Sequence, residues 1–556
     1  MGELHEECGV VAVYHFLGDK DHPVERSPMC PDGGPLEATR LIPRMLLDVQ
    51  NRGQLSSGIT SYNPVRKRPL LTYKDVGSVS EAFHQNHRER FEKIMQGLLG
   101  NAGIGHVRYA TCGEDDPNYA HPYERFHYRK SKWFSFAFNG QITNFEELGK
   151  KLRSDDTIYF SLDTDAEIFM HRFCMGVKGN DNHESDLFKL CQSATAGLDG
   201  AFSLVFLNGV GEMFICRDPR GIKPLCYACD GSLFAAASES VALFNLGFSN
   251  SEIRDVPPGG CVVVKPDGSV TERLYADSPR TAHCFFEWIY FSNAASVLDG
   301  RSVYLARHRL GVELAKLEKE NGFDKLPKED RDNTIVVPVP DTSRAAAEGM
   351  AYSLGTPCLE GLMRNRYSGR TFIEGGNSRI RRAKTKYTPL PEVLAGKRVL
   401  LVEDSIVRST TMRVLIQRIL EIGKAKEVHV RVACPPVVGP CFYGTDMSTY
   451  SELFATRFLF NEYGGKEGIE NADYCTENVM NLWKLTPEIE QKMAEDLGCT
   501  SLRYLPVKSI FDAIGKYKIN MCHGCVTQEY PTLWGDKLAK EALLNFVEDK
   551  SGRTYE

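Results

Sequence analysis

The fold is indicated first by one stretch, residues 399–411, which reads Val399-Leu400-Leu401-Val402-Glu403-Asp404-Ser405-Ile406-Val407-Arg408-Ser409-Thr410-Thr411. Its apolar start is typical of a strand that is buried in a parallel sheet. Beyond the polar loop, Leu415 with Ile419 and Ile416 with Leu420 recur at helical spacing, and Gly423 can end that helix. The stretch therefore predicts a strand–loop–helix unit of an α/β domain.

Two adjacent acids, Glu403 and Asp404, stand where this predicted strand ends. Ligands of α/β sheets bind at the carboxyl ends of parallel strands, and backbone N–H groups at a helix start can hold a phosphate. Carboxylates can bind ribose hydroxyls and help to hold Mg²⁺. An isolated acid pair is more often a solvated turn, but the complete strand, acid pair, polar loop and helix favour a phosphate site.

Length and composition limit the classes of protein to consider. The chain has 556 residues, which suggests two or three domains. A net charge of −6 gives no basic surface for nucleic acid, and no apolar run reaches the roughly 18 residues that a membrane span needs. The acidic start, residues 1–7, lacks the features of a secretory signal. We therefore expect neither nucleic acid nor a membrane as a partner.

The 17 cysteines run from Cys8 to Cys525. Their odd number in a long chain makes a disulfide framework a poor expectation, so the sequence predicts a reducing, cytoplasmic location. Burial as a small apolar residue is the default for each of them.

The pattern changes character along the chain. Short β-rich runs such as Gly9–Val13, Phe134–Phe138 and Phe202–Phe206, with helical stretches between them, predict an α+β half with packed sheets. After about residue 284, apolar strands alternate with helices, as in an α/β half, and residues 508–556 are predicted to form a helical extension.

The stretch at 399–411 resembles the phosphoribosylpyrophosphate motif of type I phosphoribosyltransferases. This resemblance implies that Glu403 and Asp404 contact the ribose hydroxyls and Mg²⁺. It also implies that the loop residues Ser405, Arg408, Thr410 and Thr411 hold the 5′-phosphate. That family usually has glycine where Ser409 stands, which predicts a tighter loop with lower phosphate affinity.

Two upstream segments extend the resemblance. The turn after Val337, which contains Thr342, resembles the family's pyrophosphate loop and implies that Thr342 is a ligand on the metal side. The segment 364–372 is close to the version found in amidotransferases, and its arginines, Arg366 among them, could pair with phosphates in a bidentate way. Arg382 and Lys384 fall in what resembles the mobile loop that closes over the substrate.

The start of the chain carries a second chemistry. Cys8 directly precedes a β-rich run and resembles the first residue of class II glutamine amidotransferases, from which a propeptide (here residues 1–7) is removed. A thiol with pKa ~8.5 and an α-amino group with pKa ~7.7–8.0 would then share one residue, as nucleophile and base. Taken alone, Cys8 reads as a buried strand cysteine.

Three further segments, 51–59, 105–111 and 138–144, resemble that family's other glutaminase motifs in the family's order. Acyl transfer needs donors at the developing oxyanion, which the Asn139 side chain and the Gly140 N–H can supply. The resemblance implies that Arg108 binds the glutamine carboxylate and that Asp165 binds its amino group. It also places Arg52 in the glutamine site as a support for Cys8.

Four cysteines match the iron–sulfur subgroup of the same family: Cys284, Cys441, Cys522 and Cys525. Four thiolates suit a [4Fe–4S] cluster, and they would suit zinc as well. Cys434 is assigned to packing. The family usually has Arg-Pro-Asp-Ser after the Tyr-Phe pair that follows Cys284, whereas this chain has Ser292-Asn293-Ala294-Ala295-Ser296.

The chain is thus identified as a member of the glutamine phosphoribosylpyrophosphate amidotransferases, in the iron–sulfur subgroup with a cleaved propeptide. The implied fold is an N-terminal nucleophile glutaminase (an αββα sandwich) joined to an α/β type I phosphoribosyltransferase domain. The expected segments are a propeptide at 1–7, a glutaminase domain at 8–277, a transferase domain at 278–507 and a C-terminal extension at 508–556 with two of the cluster cysteines.

The implied reaction converts phosphoribosylpyrophosphate and glutamine to 5-phosphoribosylamine, glutamate and pyrophosphate, the first committed step of purine synthesis. The implied cofactors are Mg²⁺ and a [4Fe–4S] cluster, and the implied partners are nucleotide feedback inhibitors and copies of the chain in a dimer or tetramer. Two alternatives stay open: a non-catalytic sensor of nucleotide or phosphoribosylpyrophosphate, and a different glutamine-dependent amination.

Overall fold

The computed structural model describes residues 8–18, 23–109, 116–155, 158–162, 164–178, 186–278, 280–365, 386–447, 449–465 and 485–550. The predicted propeptide and the residues Arg366, Arg382 and Lys384 lie outside these ranges.

The N-terminal half is built on two antiparallel sheets. Its strands are β1 (Gly9–His15), β2 (Ser56–Tyr62), β3 (Leu70–Val76), β4 (Ala102–Arg108), β5 (Tyr123–Arg125), β6 (Phe134–Ile142), β7 (Gly200–Asn208), β8 (Met213–Arg217), β9 (Cys226–Cys229), β10 (Leu233–Ala237), β11 (Arg254–Asp255), β12 (Gly260–Val264) and β13 (Val270–Leu274). The first sheet has the order β11-β9-β10-β1-β4-β2-β3, and the second has the order β13-β12-β8-β7-β6-β5.

Helices cover the outer faces of both sheets. They are α1 (Ile42–Asp48), α2 (Val79–Ala82), α3 (Arg88–Gly97), α4 (Phe145–Arg153), α5 (Asp165–Lys178), α6 (Leu187–Thr195) and α7 (Ser240–Leu246). Short 3₁₀ turns lie at Pro35–Leu41, Gln50–Arg52, Pro117–Tyr119 and Lys130–Lys132.

Successive side chains of a strand point to opposite faces of the sheet. Apolar side chains on both faces of these strands therefore form three apolar layers in this half. Val10, Ala12 and Tyr14 of β1 face the second sheet, whereas Val11 and Val13 face α1 and α7. On the other side, α5 and α6 pack on the phenylalanines of β6. The predicted αββα sandwich is therefore confirmed.

The C-terminal half contains a parallel sheet of four strands, β17-β20-β21-β22. Its strands and the short strands around it are β14 (His283–Cys284), β15 (Val297–Leu298), β16 (Arg301–Ser302), β17 (Thr334–Pro338), β18 (Leu362–Arg364), β19 (Tyr387–Pro389), β20 (Arg398–Glu403), β21 (Glu427–Val432), β22 (Ser501–Tyr504) and β23 (Met521–Cys522). The stretch quoted first is β20 and its following loop, at the centre of the parallel sheet, as predicted.

The helices of this half pack around that sheet. They are α8 (Val303–Glu320), α9 (Lys328–Asp332), α10 (Arg344–Leu354), α11 (Pro391–Leu394), α12 (Ser409–Glu421), α13 (Phe454–Glu462), α14 (Pro487–Leu497), α15 (Val507–Ile514), α16 (Gly524–Thr527) and α17 (Leu533–Val547). A π-helical turn spans Glu287–Phe291, and 3₁₀ turns span Phe323–Lys325, Tyr450–Glu452 and Lys518–Asn520. Within the described ranges, none of these helices is long and apolar enough to cross a membrane.

Candidate functional site

Strand register brings Cys8 and Arg108 to the same end of the sandwich. Gly9 of β1 pairs with Val107 of β4, so the residues just before and just after them, Cys8 and Arg108, come level at the strand ends. The Cys8 thiol donates to the Tyr109 carbonyl oxygen over 3.6 Å. Arg108 is almost fully buried. Two residues that are 100 positions apart in sequence thus share one end of the sandwich.

Arg52 lies beneath this end. A Cβ added at Gly9 would lie 3.2 Å from Cδ of Arg52, so the arginine packs directly under the first residue of β1. Its Nε lies 3.0 Å from Glu239, and its Nη1 donates to Glu287 over 3.3 Å. Because two carboxylates engage the guanidinium, this placement favours a supporting role over direct contact with glutamine.

The predicted oxyanion pair, Asn139 and Gly140, lies near the end of β6. The Asn139 side chain is buried, and neither polar atom of its amide finds a hydrogen-bond partner among the described residues. Gly140 has φ +146°, and a Cβ there would lie 1.9 Å from the Ala201 carbonyl oxygen, so only glycine fits. A buried, unsatisfied amide costs free energy unless a ligand completes it.

His106 was not predicted as part of this site. Its Nε2 lies 3.1 Å from the Phe138 carbonyl oxygen, which ties the strand of Arg108 to the strand of Asn139. Burial lowers the pKa of His106 to about 3, so the ring is neutral. A histidine inside a strand gives no sequence signal that separates this role from ordinary core packing.

Asp165 is the first residue of α5, and it is hydrogen-bonded to the end of β6. Its carboxylate accepts a hydrogen bond from the Ile142 N–H over 3.1 Å. Burial raises the pKa of Asp165 to about 6, against the opposing effect of backbone N–H donors. The acid predicted to bind the amino group of glutamine is therefore anchored two residues beyond Gly140.

A second site is a cavity of about 380 Å³ at the carboxyl end of β20. The sequence-predicted residues that line it are Thr342, Glu403, Asp404, Ser405, Arg408 and Thr411. The N-terminal half contributes Asn51 and Gln54 to the same wall. Thr410 is exposed on the first turn of α12 and is absent from the lining.

The surroundings of the two acids in this cavity disfavour their charged forms. Burial, together with the neighbouring carboxylate, raises the pKa of Glu403 well above its ordinary value. Burial also raises the pKa of Asp404 to about 6, against a hydrogen bond that it accepts from the Ser405 hydroxyl over 2.8 Å. The Glu403 Oε2 atom is buried and has no hydrogen-bond partner within the described ranges. Orphaned carboxylate oxygens of this kind suit a hard cation or sugar hydroxyls.

Two basic residues that the sequence did not predict as part of this site face these acids. Arg307 of α8 lies in the cavity wall and donates to the Trp288, Tyr290 and Ser292 carbonyl oxygens. Burial lowers the pKa of Lys386 to about 8, against the attraction of Glu403 and Asp404. A helical arginine usually reads as a surface charge, and only the packing of α8 reveals its position.

The loop after the acids ends in Arg408, which precedes the first residue of α12, Ser409. The Arg408 guanidinium donates to Glu452 over 3.0 Å. Ser409 is buried, so a side chain fits where the family usually has glycine.

The four predicted cluster cysteines converge in the C-terminal half. Parallel pairing of β14 with β23 puts Cys284 level with Cys522. Cys441, Cys522 and Cys284 lie close enough to Cys525 that, after burial, their charges raise the pKa of its thiol. The donor set fits a thiolate-ligated group. As placed, no three His, Cys, Asp or Glu side chains of the described chain form a closed metal-binding geometry. Cys434 is fully buried in the core.

Comparison with known proteins matches one domain model to each half of the chain. A glutamine amidotransferase domain model matches residues 118–245, and a phosphoribosyl transferase domain model matches residues 314–440. The amidophosphoribosyltransferase of Methanothermobacter thermautotrophicus is 34% identical over 95% of this chain and 95% of its own length. That of Archaeoglobus fulgidus is 34% identical over 94% of this chain and 98% of its own.

A solved structure agrees in three dimensions. Glutamine phosphoribosylpyrophosphate amidotransferase from B. subtilis, complexed with ADP and GMP, superimposes with a TM-score of 0.73 at 28% identity, covering 94% of this chain and 97% of that one. With its two halves, its two sites and relatives that match along nearly the whole length, the chain belongs to the amidophosphoribosyltransferase family.

Proposed function

We propose that the chain catalyses the glutamine-dependent amination of phosphoribosylpyrophosphate to 5-phosphoribosylamine, releasing glutamate and pyrophosphate, as the first committed step of purine synthesis. The observation that carries the proposal is the shared cavity. Asn51 and Gln54 of the glutaminase half face the acid pair Glu403 and Asp404 of the transferase half across it. The proposal requires that ammonia released in the glutaminase half passes to this cavity.

The first half-reaction is an acyl transfer at Cys8. After removal of residues 1–7, the free α-amine takes the thiol proton, and the Cys8 sulfur attacks the side-chain carbonyl of glutamine. The Asn139 amide and the Gly140 N–H donate to the oxyanion. The protonated α-amine returns its proton to the leaving nitrogen as the tetrahedral intermediate collapses, which expels ammonia and leaves a thioester. Water then hydrolyses the thioester, which releases glutamate and restores the thiol.

Charged side chains orient glutamine through its α-carboxylate and its α-ammonium group. Arg108 pairs with the α-carboxylate of glutamine, and the Asp165 carboxylate accepts hydrogen bonds from its ammonium group. Arg52 holds the Cys8 strand in place through its buried contacts with Glu239 and Glu287.

The second half-reaction is a displacement at C1 of the ribose. Glu403 and Asp404 hold the ribose hydroxyls, and the loop from Ser405 to Thr411 receives the 5′-phosphate at the start of α12. Ammonia attacks C1 with inversion, and pyrophosphate leaves. Arg366 is proposed as a further phosphate partner. Glu403, Asp404 and Thr342 would hold Mg²⁺, which neutralises phosphate charge when it is bound.

The cysteine set suits a [4Fe–4S] cluster in Cys284, Cys441, Cys522 and Cys525, and zinc is the alternative that the donors also allow. We assign it a structural or regulatory role, because neither half-reaction transfers electrons. The proposed segments are 1–7, 8–277, 278–507 and 508–556.

Two proposals concern partners. The B. subtilis relative was solved in complex with ADP and GMP, so we propose that nucleotides bind this chain and act as feedback inhibitors. A dimer or tetramer remains the predicted assembly, to be measured by light scattering.

The central test is glutamate release by the purified mature protein, with phosphoribosylpyrophosphate and Mg²⁺ added or withheld. We expect both to stimulate the release of glutamate and the appearance of pyrophosphate. Glutamate production that is indifferent to both would contradict coupling of the halves. Mass measurement of the mature N-terminus separates the enzyme from a non-catalytic sensor, since an intact Met1 would leave Cys8 without its own amine.

A further inference from the structure

The segment 139–143, here called the oxyanion turn, carries the two oxyanion donors at the end of β6. It is held at both ends by residues far from it in sequence. β6 delivers Asn139 and Gly140, and the chain then passes through Thr143 into α4. Within the glutaminase half, pairing with β7 fixes one side of this strand. Two further contacts involve the transferase half and the C-terminal extension.

The first contact joins two glycines. A Cβ added at Gly444 would lie 3.2 Å from the carbonyl carbon of Gly140 and 3.3 Å from its Cα. Gly444 follows Cys441 by three residues and has φ +97°, a conformation that L side chains rarely adopt. The backbone of the cysteine segment therefore rests directly on the oxyanion glycine.

The second contact runs through Asp199. Its Oδ1 accepts from the Thr143 hydroxyl over 2.5 Å, and its backbone carbonyl accepts from the Thr143 N–H over 2.9 Å. Its other carboxylate oxygen accepts from the Trp534 N–H over 3.3 Å, in the first turn of α17. A carboxylate is stabilised at a helix N-terminus, so α17 and the oxyanion turn are fixed to one another.

These two contacts belong to one unit. The Tyr443 hydroxyl lies 3.0 Å from the hydroxyl of Thr532, the residue that caps α17. A Cβ at Gly535 would meet the Tyr443 hydroxyl at 2.0 Å, so helix and cysteine segment are in close contact. The unit reaches the oxyanion turn at Gly140 and again at Thr143.

We propose that this unit, the segment from Cys441 to Gly444 with the start of α17, positions the oxyanion donors of the glutaminase half. Gly444 and Asp199 are positioning residues, because they act through Gly140 and Thr143 without touching substrate. The inference rests on the proposed function and adds a dependence of glutamine cleavage on residues that lie beyond residue 440. It is independent of which metal the cysteines hold.

The test compares Gly444→Ala with Gly322→Ala. The two glycines have nearly equal φ, +97° and +95°, but at Gly322 a Cβ would meet open space among the described residues. Asp199→Asn is the second test variant, since it keeps the shape of the side chain and removes its charge. Each variant is assayed for glutamate release from glutamine and for pyrophosphate release with ammonium chloride, which bypasses Cys8.

We expect Gly444→Ala and Asp199→Asn to lower kcat for glutamate release by about tenfold or more, since displacement of an oxyanion donor is costly. The KM for glutamine and the ammonia-dependent rate should change less than about twofold, and Gly322→Ala should match the wild type in both assays. Equal loss of both activities, or no loss in either, would overturn the proposal. A wild type that releases no glutamate would instead refute the proposed function.

Discussion

Arg52 of the glutaminase half and Glu287 of the transferase half form a buried ion pair, with 3.3 Å between Nη1 and Oε1. Glu239 adds a second carboxylate, 3.0 Å from the arginine Nε. All three side chains are almost fully buried. One arginine thus holds two carboxylates directly under the strand that begins after Cys8.

The segment 292–296 adds hydrogen bonds to this network. The Ser292 hydroxyl donates to Glu287 over 2.5 Å. The Asn293 N–H and the Ser296 hydroxyl donate to Glu239 over 2.7 and 2.8 Å. This segment therefore supplies hydrogen bonds to both carboxylates that bind Arg52.

Arg52→Met should strongly destabilise the protein, because it leaves two carboxylates buried without their cation. Breaking a buried pair in this way costs about 3–5 kcal/mol. The control is Lys508→Met, which breaks an exposed pair with Asp512 and should cost less than about 1 kcal/mol. Thermal unfolding measures both, and equal Tm values for the two variants would contradict the buried-pair argument.

Cys8→Ala should abolish glutamate release and leave ammonia-dependent synthesis within about twofold of the wild type. The reason is that only the first half-reaction needs the nucleophile. Paired assays with glutamine and with ammonium chloride measure the two activities. Loss of the ammonia-dependent rate as well would show that Cys8 is needed for the fold of the whole chain.

Much of the site could be predicted from sequence because its parts follow local patterns. The apolar run before Glu403 predicted a buried strand, which is β20. Arg307, Lys386 and His106 could not be predicted, since their positions depend on how distant elements pack. Nothing in the motifs showed that Asn51 and Gln54 would face the acid pair.

Asp165 should make glutamine binding pH-dependent. Burial raises the pKa of this carboxyl to about 6, so it is charged at pH 7 and mostly protonated at pH 5. Only the charged form attracts the substrate ammonium, so affinity should fall about tenfold over that range. Calorimetry of glutamine binding to Cys8→Ala avoids turnover. Asp165→Asn in the same background should bind weakly at both pH values, and a pH response that survives it would assign the effect elsewhere.

Glu403→Gln should stabilise the ligand-free protein while it disables transfer. Burial, with repulsion from the adjacent Asp404 carboxylate, raises the pKa of Glu403, so a neutral amide at this position removes the cost of burying a charge. The ammonia-dependent rate should fall by about a hundredfold or more, because ribose and metal lose a ligand. Tm without Mg²⁺ and pyrophosphate release measure the two effects. A lower Tm would show that the carboxylate is needed for the fold.

Cys525→Ser should abolish binding of the proposed metal group and loosen the C-terminal extension. The Cys525 carbonyl oxygen accepts from the N–H groups of Val438 and Gly439 over 2.9 and 3.0 Å, so the backbone alone gives α16 some anchorage. Without the thiolate, three sulfur ligands remain, and binding of a four-thiolate group should be lost.

Analysis of iron, sulfide and zinc measures the metal content of this variant, and limited proteolysis reports release of the segment after residue 508. Cys261→Ala, a buried cysteine of β12, is the control and should keep both content and protease resistance. Full metal content in Cys525→Ser would remove this cysteine from the ligand set.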